Sequence, residues 1–528
     1  SDGTEVFAQK YLDPQGRLEC VERWGGNDGP DDAMENFAGW TLLYALGGDE
    51  KVLTLFEKAW EGHLLQFTAA KAPGIPMAEN GMYWREFVTA FDWEHTGEAL
   101  AAFHLYGLAR PSDPLYKTRV LRFADFYTGE DPHADNYDRE HKLIKSIQNG
   151  SRGAKVTPAT PTDWGGLPVA DHPERLTRYE EASNIKGDHP LNLCTTALGF
   201  NAFTLSGEKR FRDWTLEYAG AWRERILNNS GNIPTNIGLD GAIGGDWGQW
   251  WGGVFGWNFD PKSGSRNYFI RGPRIAFGIA AMLTGDASWM EPLRRQIQNL
   301  YFVKQEENGR TLLPRKHGPD GWYGYSANDH ADVQRDIWLF SFDRTGLDGL
   351  DRDPWIRYLE GDNPDFPGEA LRADLEGVRR RVAGLREDAL PADVRPSDHP
   401  QRYNPAQVSS LVNLALGGNA PGGSGNILHS RLLYFDPARD RVGLPEDVAA
   451  LVETITPKGL RLRLVNLSQV EPRTVVVQAG AYGEHRFGRV GKVAVNGNAF
   501  EAQLAPGSGG VLEIELAMWK NAPRYRRP

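Results

Sequence analysis

The sequence predicts a mainly α fold: an (α/α)6 toroid over residues 1–418, followed by a small C-terminal, sandwich-like antiparallel β-domain over 427–528. Two observations point to the toroid. Helical periodicity recurs in pairs from Ala33 to about Leu416, and the two members of each pair differ in character. A third, the change to period-two alternation after about residue 420, points to the β-domain.

The first member of a pair is apolar nearly all round, as in Met34 to Leu46, Leu191 to Leu205, Ile275 to Leu283, Val333 to Phe342 and Ala406 to Leu416. Helices of that kind are buried on most faces. The second member, as in Lys51 to Phe67 and Lys209 to Ile226, alternates an aromatic and aliphatic stripe with Arg, Glu and Lys, so one side faces solvent. Short turns join the members: Gly47-Gly48-Asp49, Ser206-Gly207-Glu208 and Thr284-Gly285-Asp286. In each, Gly stops one helix and the acid favours the start of the next. Six inner helices are expected to begin near Ala33, Asp92, His189, Arg274, Val333 and Asn404, with four or five outer helices after them. Packing alone requires an apolar inner ring and an amphipathic outer one. Farther on, Leu460 to Asn466, Arg473 to Gln478 and Val511 to Leu516 alternate as strands do. Asn496-Gly497 reads as a hairpin turn joining Val493–Val495 to Asn498–Gln503. The Gly/Pro/Asn-rich stretch Gly417 to Asn426 reads as the linker between the two regions.

A chain of 528 residues exceeds one compact core, which suits a large repetitive domain joined to a small one. Its net charge of -11 argues against a nucleic-acid or membrane-surface partner, since both reward contiguous positive charge. No run of about 18 apolar residues suggests a membrane span. Only Cys20 and Cys194 are present, too few for a disulfide framework or a paired CxxC zinc site. There is no HExxH, no Walker loop and no GxGxxG after a strand, and no His/Asp spacing supports a metal, so no cofactor is expected. The chain opens Ser-Asp-Gly, as a mature form after signal cleavage or a trimmed chain would, and a periplasmic or secreted location is expected.

The segments that lead into the inner helices are long and hold the unusual chemistry, whereas the inner-to-outer turns are short and plain. One face is therefore elaborated, and loops on a rigid scaffold are where binding concentrates. These segments carry Trp24, Asp31, Trp84, Arg85, Asn184, Arg271, Trp322 and Arg402. They also carry the run Gly244 to Gly253, with Asp246, Trp247, Trp250 and Trp251, and Trp257 just beyond it. Tryptophans among glycines suit sugar binding, because a pyranose offers C–H faces to an aromatic ring and hydroxyl edges to Asp, Asn and Arg. The competing reading is that they seal the top of the toroid. Arginines gather in the same loops of an otherwise acidic chain, among them Arg152, Arg178, Arg266, Arg274 and Arg315. Guanidinium forks pair carboxylates or sulfates, which points to an anionic, uronic-acid-containing carbohydrate substrate; the alternative is that they neutralise neighbouring acids.

Glycoside hydrolysis needs a protonated carboxyl at the leaving oxygen and a second carboxylate as base or nucleophile. Asp92 and Glu94, set between aromatics in Phe91-Asp92-Trp93-Glu94-His95, and the pair Glu180 and Glu181 are the candidates. Asp92 also fits a helix N-cap, as do Asp31 and Asp188, whereas Glu180 and Glu181 stand farther ahead of a helix. For a uronate, β-elimination competes, with Asn184 to neutralise the carboxylate and His189, Tyr325 and His330 as base and acid. The stretch Asn184 to Asn192 fits equally well as a plain lead into a helix, with Asp188 as cap and Pro190 in the first turn.

On the paired helices of Ala33 to Leu416 and the β-domain behind them, the chain resembles the six-hairpin class of helical-toroid glycoside hydrolases, polysaccharide lyases and sugar epimerases. The resemblance is one of architecture and implies a funnel at the loop-rich end. No single family's catalytic motif matches, so no catalytic role is carried over. Acids outnumber every other reactive type in the loops, which puts a hydrolase first, a lyase second, and an epimerase or non-catalytic sugar binder third.

Overall fold

The computed structural model describes residues 1–20, 31–69, 71–72, 75–76, 78–79, 82–83, 97–132, 134, 136–145, 187–245, 248–252 and 270–525. These form a mainly α fold with antiparallel sheets in the C-terminal region. Among the described residues no helix is long and apolar enough to cross a membrane.

The helices come largely in pairs. After α1 (Asp2–Tyr11) and α2 (Asp31–Glu35), α3 (Trp40–Ala45) is followed by α4 (Glu50–Ala69), and α5 (Ala101–Ala109) by α6 (Pro114–Asp125). Then come α7 (Thr195–Ser206) with α8 (Lys209–Asn228), α9 (Arg271–Thr284) with α10 (Glu291–Phe302), and α11 (Ala331–Ser341) with α12 (Pro354–Leu359). The long α13 (Phe366–Glu387) precedes a last short inner segment, α14 (Ser409–Leu411), which continues as a π turn over Val412–Leu416.

Burial separates the two kinds of helix as their sequences suggest. Every residue of α5 is buried, and so is α7 from Thr195 to Thr204. By contrast α8 buries only a stripe, Phe211, Trp214, Thr215, Tyr218, Ala219, Trp222 and Ile226. The joining turns also behave as read: Gly207 and Gly285 end their helices in the left-handed region, at φ 79° and 70°. The inner helices α3, α5, α7, α9 and α11 pack against one another in chain order, and α1 lies against both α4 and α13.

The stretch Met34 to Leu46, expected as one helix, is broken at Gly39, whose φ of 83° no side chain adopts easily. The break brings in the last inner segment. Asn36 Nδ2 donates to Ser397 O at 2.7 Å, Trp40 Nε1 to Asn404 Oδ1 at 2.9 Å, and Asn404 Nδ2 to Ala38 O at 2.8 Å. The first and last inner segments are thereby stitched together. The expected helix over Ala406 to Leu416 is shorter than read, starting only at Ser409.

Between α10 and α11, where a loop was expected, stands a three-stranded antiparallel sheet of β1 (Gln305–Glu307), β2 (Arg310–Gly318) and β3 (Gly321–Ser326), in spatial order β1-β2-β3. Its strands are mostly exposed or half-buried, so the apolar alternation that betrays a strand was absent.

The C-terminal strands are β4 (Leu432–Asp436), β5 (Arg441–Val442), β6 (Val448–Thr456), β7 (Gly459–Asn466), β8 (Arg473–Ala479), β9 (Arg486–Val490), β10 (Val493–Ala494), β11 (Ala499–Leu504) and β12 (Gly509–Ala517). One sheet has the order β5-β4-β8-β11 and the other β6-β7-β12-β9-β10, all neighbours antiparallel. Phe487 of β9 and Phe500 of β11 meet edge to face, with centroids 5.1 Å apart, so the two sheets share an apolar layer. The expected Asn496-Gly497 hairpin is not formed, because β10 and β11 belong to different sheets. The tight turn lies earlier, at Gly491-Lys492, where Val490 pairs with Val493 and Gly491 takes φ 56°. Asn496-Gly497 instead carries the chain from one sheet to the other.

The C-terminal region rests on the ends of the inner helices where their plain turns lie. Arg441 donates to Tyr44 O at 2.9 Å and Gly48 O at 2.7 Å while its guanidinium sits 3.9 Å from the Tyr44 ring centroid. Arg524 donates to Phe203 O at 3.2 Å, Tyr434 OH to Ala415 O at 2.6 Å, and Trp519 stacks on Phe340 at 5.4 Å. Where they are described, at 97–100, 187–194, 270–271 and 321–330, the segments that lead into these helices enter at the other end.

The stretch expected as a linker is something else. Asn419 and His429 pair as an antiparallel bridge, so residues 419–429 form a hairpin loop. Its arms are largely buried among α5, α9 and α11: a Cβ on Gly425 would lie 3.3 Å from His104 Cδ2 and 2.6 Å from Gly97 O, and one on Gly278 would lie 3.1 Å from His429 Nε2. His429 also meets Phe340 edge to face at 5.1 Å. At the tip, Gly422 and Gly423 are exposed.

Candidate functional site

Four sequence-distant pieces converge at the loop-rich end: the first turn of α9, the first turn of α11, the turn before α5, and the hairpin tip. Arg271 and Arg274, one turn apart at the start of α9, reach in different directions. Arg271 pairs with Glu98 and lies 3.3 Å from Ser424 Oγ. Arg274 bonds Asp332 at 2.6 Å and also pairs with the almost fully buried Asp336. Asn419 of the hairpin donates to Asp336 and accepts from Arg335 Nη1 at 3.0 Å. Arg335 in turn bonds Asp353 through Nε at 2.8 Å and Nη2 at 2.5 Å. A continuous polar chain therefore runs Asp332, Arg274, Asp336, Asn419, Arg335, Asp353.

Two groups in this chain differ in availability. The Asp332 side chain is 58% exposed, while that of Asp353 is 1% exposed. Burial pushes the Asp332 carboxyl upward, yet the Arg274 guanidinium, with the backbone amide of Val333, holds it below the usual carboxylate range. Asp332 is thus ionised near neutral pH. His330, just before α11 with φ 53°, is also shifted downward: burial, against the pull of Asp332 and Asp329 and with help from the charge of Arg315, favours the neutral imidazole.

Ahead of α11 in the chain, an aromatic group is assembled from two separate segments. His317 sits 4.6 Å from Trp250, 5.8 Å from Trp251 and 4.8 Å, edge to face, from Trp322, and Trp250 approaches Trp322 to 5.9 Å. All four rings are half-buried, and burial holds His317 neutral. The pairing His317 with Trp322 and Pro314 with Tyr325 puts Tyr325 on the opposite strand face from Trp322. Arg315 alternates onto the face of His317, is exposed, and makes no ion pair among the described residues.

Several sequence-predicted residues find a place in this arrangement. His330 stands in the acidic and basic cluster, Arg271 is engaged with Glu98, and Trp250, Trp251 and Trp322 form the aromatic group. Tyr325 is half-buried on the other side of its sheet, and Arg402 is exposed in a 3-10 turn over His399–Tyr403, apart from the polar chain. His189 is 6% exposed, and burial drives its pKa down to about 3, so it stays neutral. Asp188 is fully buried: it accepts from Ile144 N, His189 N, Asn192 Nδ2, Tyr218 OH and Trp222 Nε1. Burial raises its pKa to about 6, with those donors opposing. It is a structural knot tying the start of α7 to the outer helix α8. Of Asp31 the backbone alone is described, in α2. Trp24, Trp84, Arg85, Asp92, Glu94, Glu180, Glu181, Asn184, Asp246, Trp247 and Trp257 lie outside the described residues.

Glu98, Asp332, Asp336, Arg335, Asp353, Asn419 and Ser424 were not singled out by sequence. Asp332 and Asp336 carried a usable signal, since i, i+4 acids on an otherwise apolar inner helix require a cation opposite. Asn419 and Ser424 carried none, because a Gly/Pro/Asn-rich run reads as a loop wherever it goes.

A family model described as a domain of unknown function, DUF8034, matches residues 1–338 and 344–412. No curated protein matches the chain.

Proposed function

The chain belongs to the DUF8034 family, and we propose that it is a carbohydrate-active enzyme that cleaves an anionic, uronic-acid-containing glycan, by hydrolysis in the first reading. The helical region is read as an (α/α)6 toroid. Its support is the chain-order packing of the inner helices, together with the stitching of the first inner segment to the last and α1 lying between α4 and α13.

The observation that carries the functional reading is the exposed Asp332 carboxylate, held ionised beside Arg274 in the first turn of α11, the helix that follows the strand bearing Trp322. In hydrolysis Asp332 would be the base or nucleophile. The protonated partner is sought among Asp92, Glu94, Glu180 and Glu181. Arg315, whose charge meets no acid among the described residues, would bind the substrate carboxylate. Arg271 and Arg274 are engaged with acids, which favours for them the role of neutralising neighbours.

A second reading, β-elimination, is favoured by one observation: His330 is held neutral, as a general base must be, and Arg315 acts electrostatically upon it. One experiment separates the readings. The protein is incubated with polygalacturonate, alginate and chondroitin sulfate, and reducing ends are recorded with the ultraviolet absorbance of a conjugated uronate. New ends alone mean hydrolysis; ends with absorbance mean elimination. Neither signal across the panel removes the degradative reading.

A further inference from the structure

We infer that the tip of the 419–429 hairpin, Pro421 to Ser424, is the floor of the substrate-binding face and contacts the glycan through its backbone. The inference rests on the glycan-cleaving reading above and names where the sugar is held.

The placement comes first. Both arms of the hairpin are largely buried, from Gly417 to Asn419 and from Gly425 to Leu428, yet Gly422 and Gly423 are exposed. The tip therefore emerges at the end away from the β-domain, where Ser424 Oγ lies 3.3 Å from Arg271 and a Cβ on Gly97 would lie 3.3 Å from Ser424 O. There is also room. Among the described residues a Cβ on Gly422 or on Gly423 would meet no atom within 4 Å, whereas one on Gly418 or Gly425 in the arms would strike backbone. Finally, the tip is fixed from both sides: Asn419 is bonded to Asp336 and Arg335, and the backbone amide of Leu428 donates to Tyr482 OH at 3.1 Å. Exposed glycines on a fixed support present backbone N–H and C=O groups without side-chain bulk, which lets a hydroxyl-rich ring approach closely. Because the hairpin fills the space among the inner helices, a bound glycan enters and leaves by the same face.

Gly423 is the place to test this, since it is exposed and its φ is not positive. Gly423→Trp is compared with Gly377→Trp on α13, another glycine with open space around it, in affinity electrophoresis through polygalacturonate and alginate. The expected result is wild-type retardation for Gly377→Trp and a fall of about tenfold or more in affinity for Gly423→Trp, with thermal unfolding unchanged in both. A second variant covers any loss of folding. The native Cys20 and Cys194 are buried, so Gly423→Cys offers an accessible thiol whose maleimide labelling a bound glycan should slow. Wild-type binding with full affinity in Gly423→Trp, or with labelling of Gly423→Cys unslowed by the glycan, overturns the inference and leaves the glycan reading standing. Failure of the wild-type protein to bind or cleave either polymer overturns both.

Discussion

Asp353 and Asp332 are both carboxylates paired with an arginine, and their surroundings give them opposite uses. Asp353 caps α12 by accepting from Trp355 N and Ile356 N, each at 3.0 Å, and holds Arg335 by two further bonds. Asp353→Ala would leave a guanidinium without its counter-charge and a helix without its cap. The expected loss is about 3–5 kcal/mol, measured by urea unfolding. Asp332 is largely in water, so Asp332→Asn should leave unfolding nearly unchanged while lowering cleavage by about 100-fold or more, measured as kcat on the polymer that the wild-type protein degrades. Equal losses of stability and turnover would assign Asp332 to structure alone. Arg315→Gln should weaken binding to polygalacturonate more than to its methyl-esterified form, since only the charge is read by a guanidinium. At this scale the sequence disclosed residue types but not partners. Arg274 and Asp336 are 62 positions apart and Asn419 and Asp336 are 83 apart, separations across which no local pattern operates.

Among elements, those decided by their own residues were legible and those decided by a distant neighbour were not. The helix-ending glycines Gly207 and Gly285 announce themselves because the left-handed residue, the stop and the next helix start are adjacent in the chain. The break at Gly39 does not, since what requires it is the approach of Ala406, whose carbonyl oxygen lies 3.4 Å from the site of a Cβ. Asn496-Gly497 has the composition of a hairpin turn, but whether the next strand returns to the same sheet is settled by pairing with β8, not by the turn. Close contact between elements also marks where a methyl group would be felt. A Cβ on Gly272, in the first turn of α9, would stand 2.0 Å from Pro190 O. Gly272→Ala should therefore push α9 off the Pro190–Cys194 turn and cost roughly 1–3 kcal/mol, read as a shift in the urea midpoint.

For the molecule as a whole, burial of ionisable groups sets the response to acid. His104, His189, His429 and His485 are all held neutral below the ordinary histidine range by burial, at about 3, 3 and 4 for the first three. On unfolding each takes up a proton below about pH 6.5. Burial raises Asp188 to about 6 and Glu484 to about 7, so these two release protons on unfolding in the same range. Four protons gained against two released leave the unfolded state binding more between pH 6 and 5. Stability should then fall with falling pH by roughly 2–3 kcal/mol per unit, as urea unfolding at pH 7, 6 and 5 would register. A flat or opposite profile would mean that the carboxyls dominate.

The hairpin that fills the centre has a consequence for how the chain is made. All the helices precede residue 417, so every one of them leaves the ribosome before the segment around which α5, α9 and α11 pack. Asp336 and Arg335 must wait for Asn419, and the hairpin in turn waits for Tyr482. Growing chains usually fold one domain at a time as they emerge. Here the helical region, although first out, cannot finish until the β-domain has been synthesised, and a nascent chain stalled before residue 417 should remain a substrate for chaperones and proteases rather than a folded half.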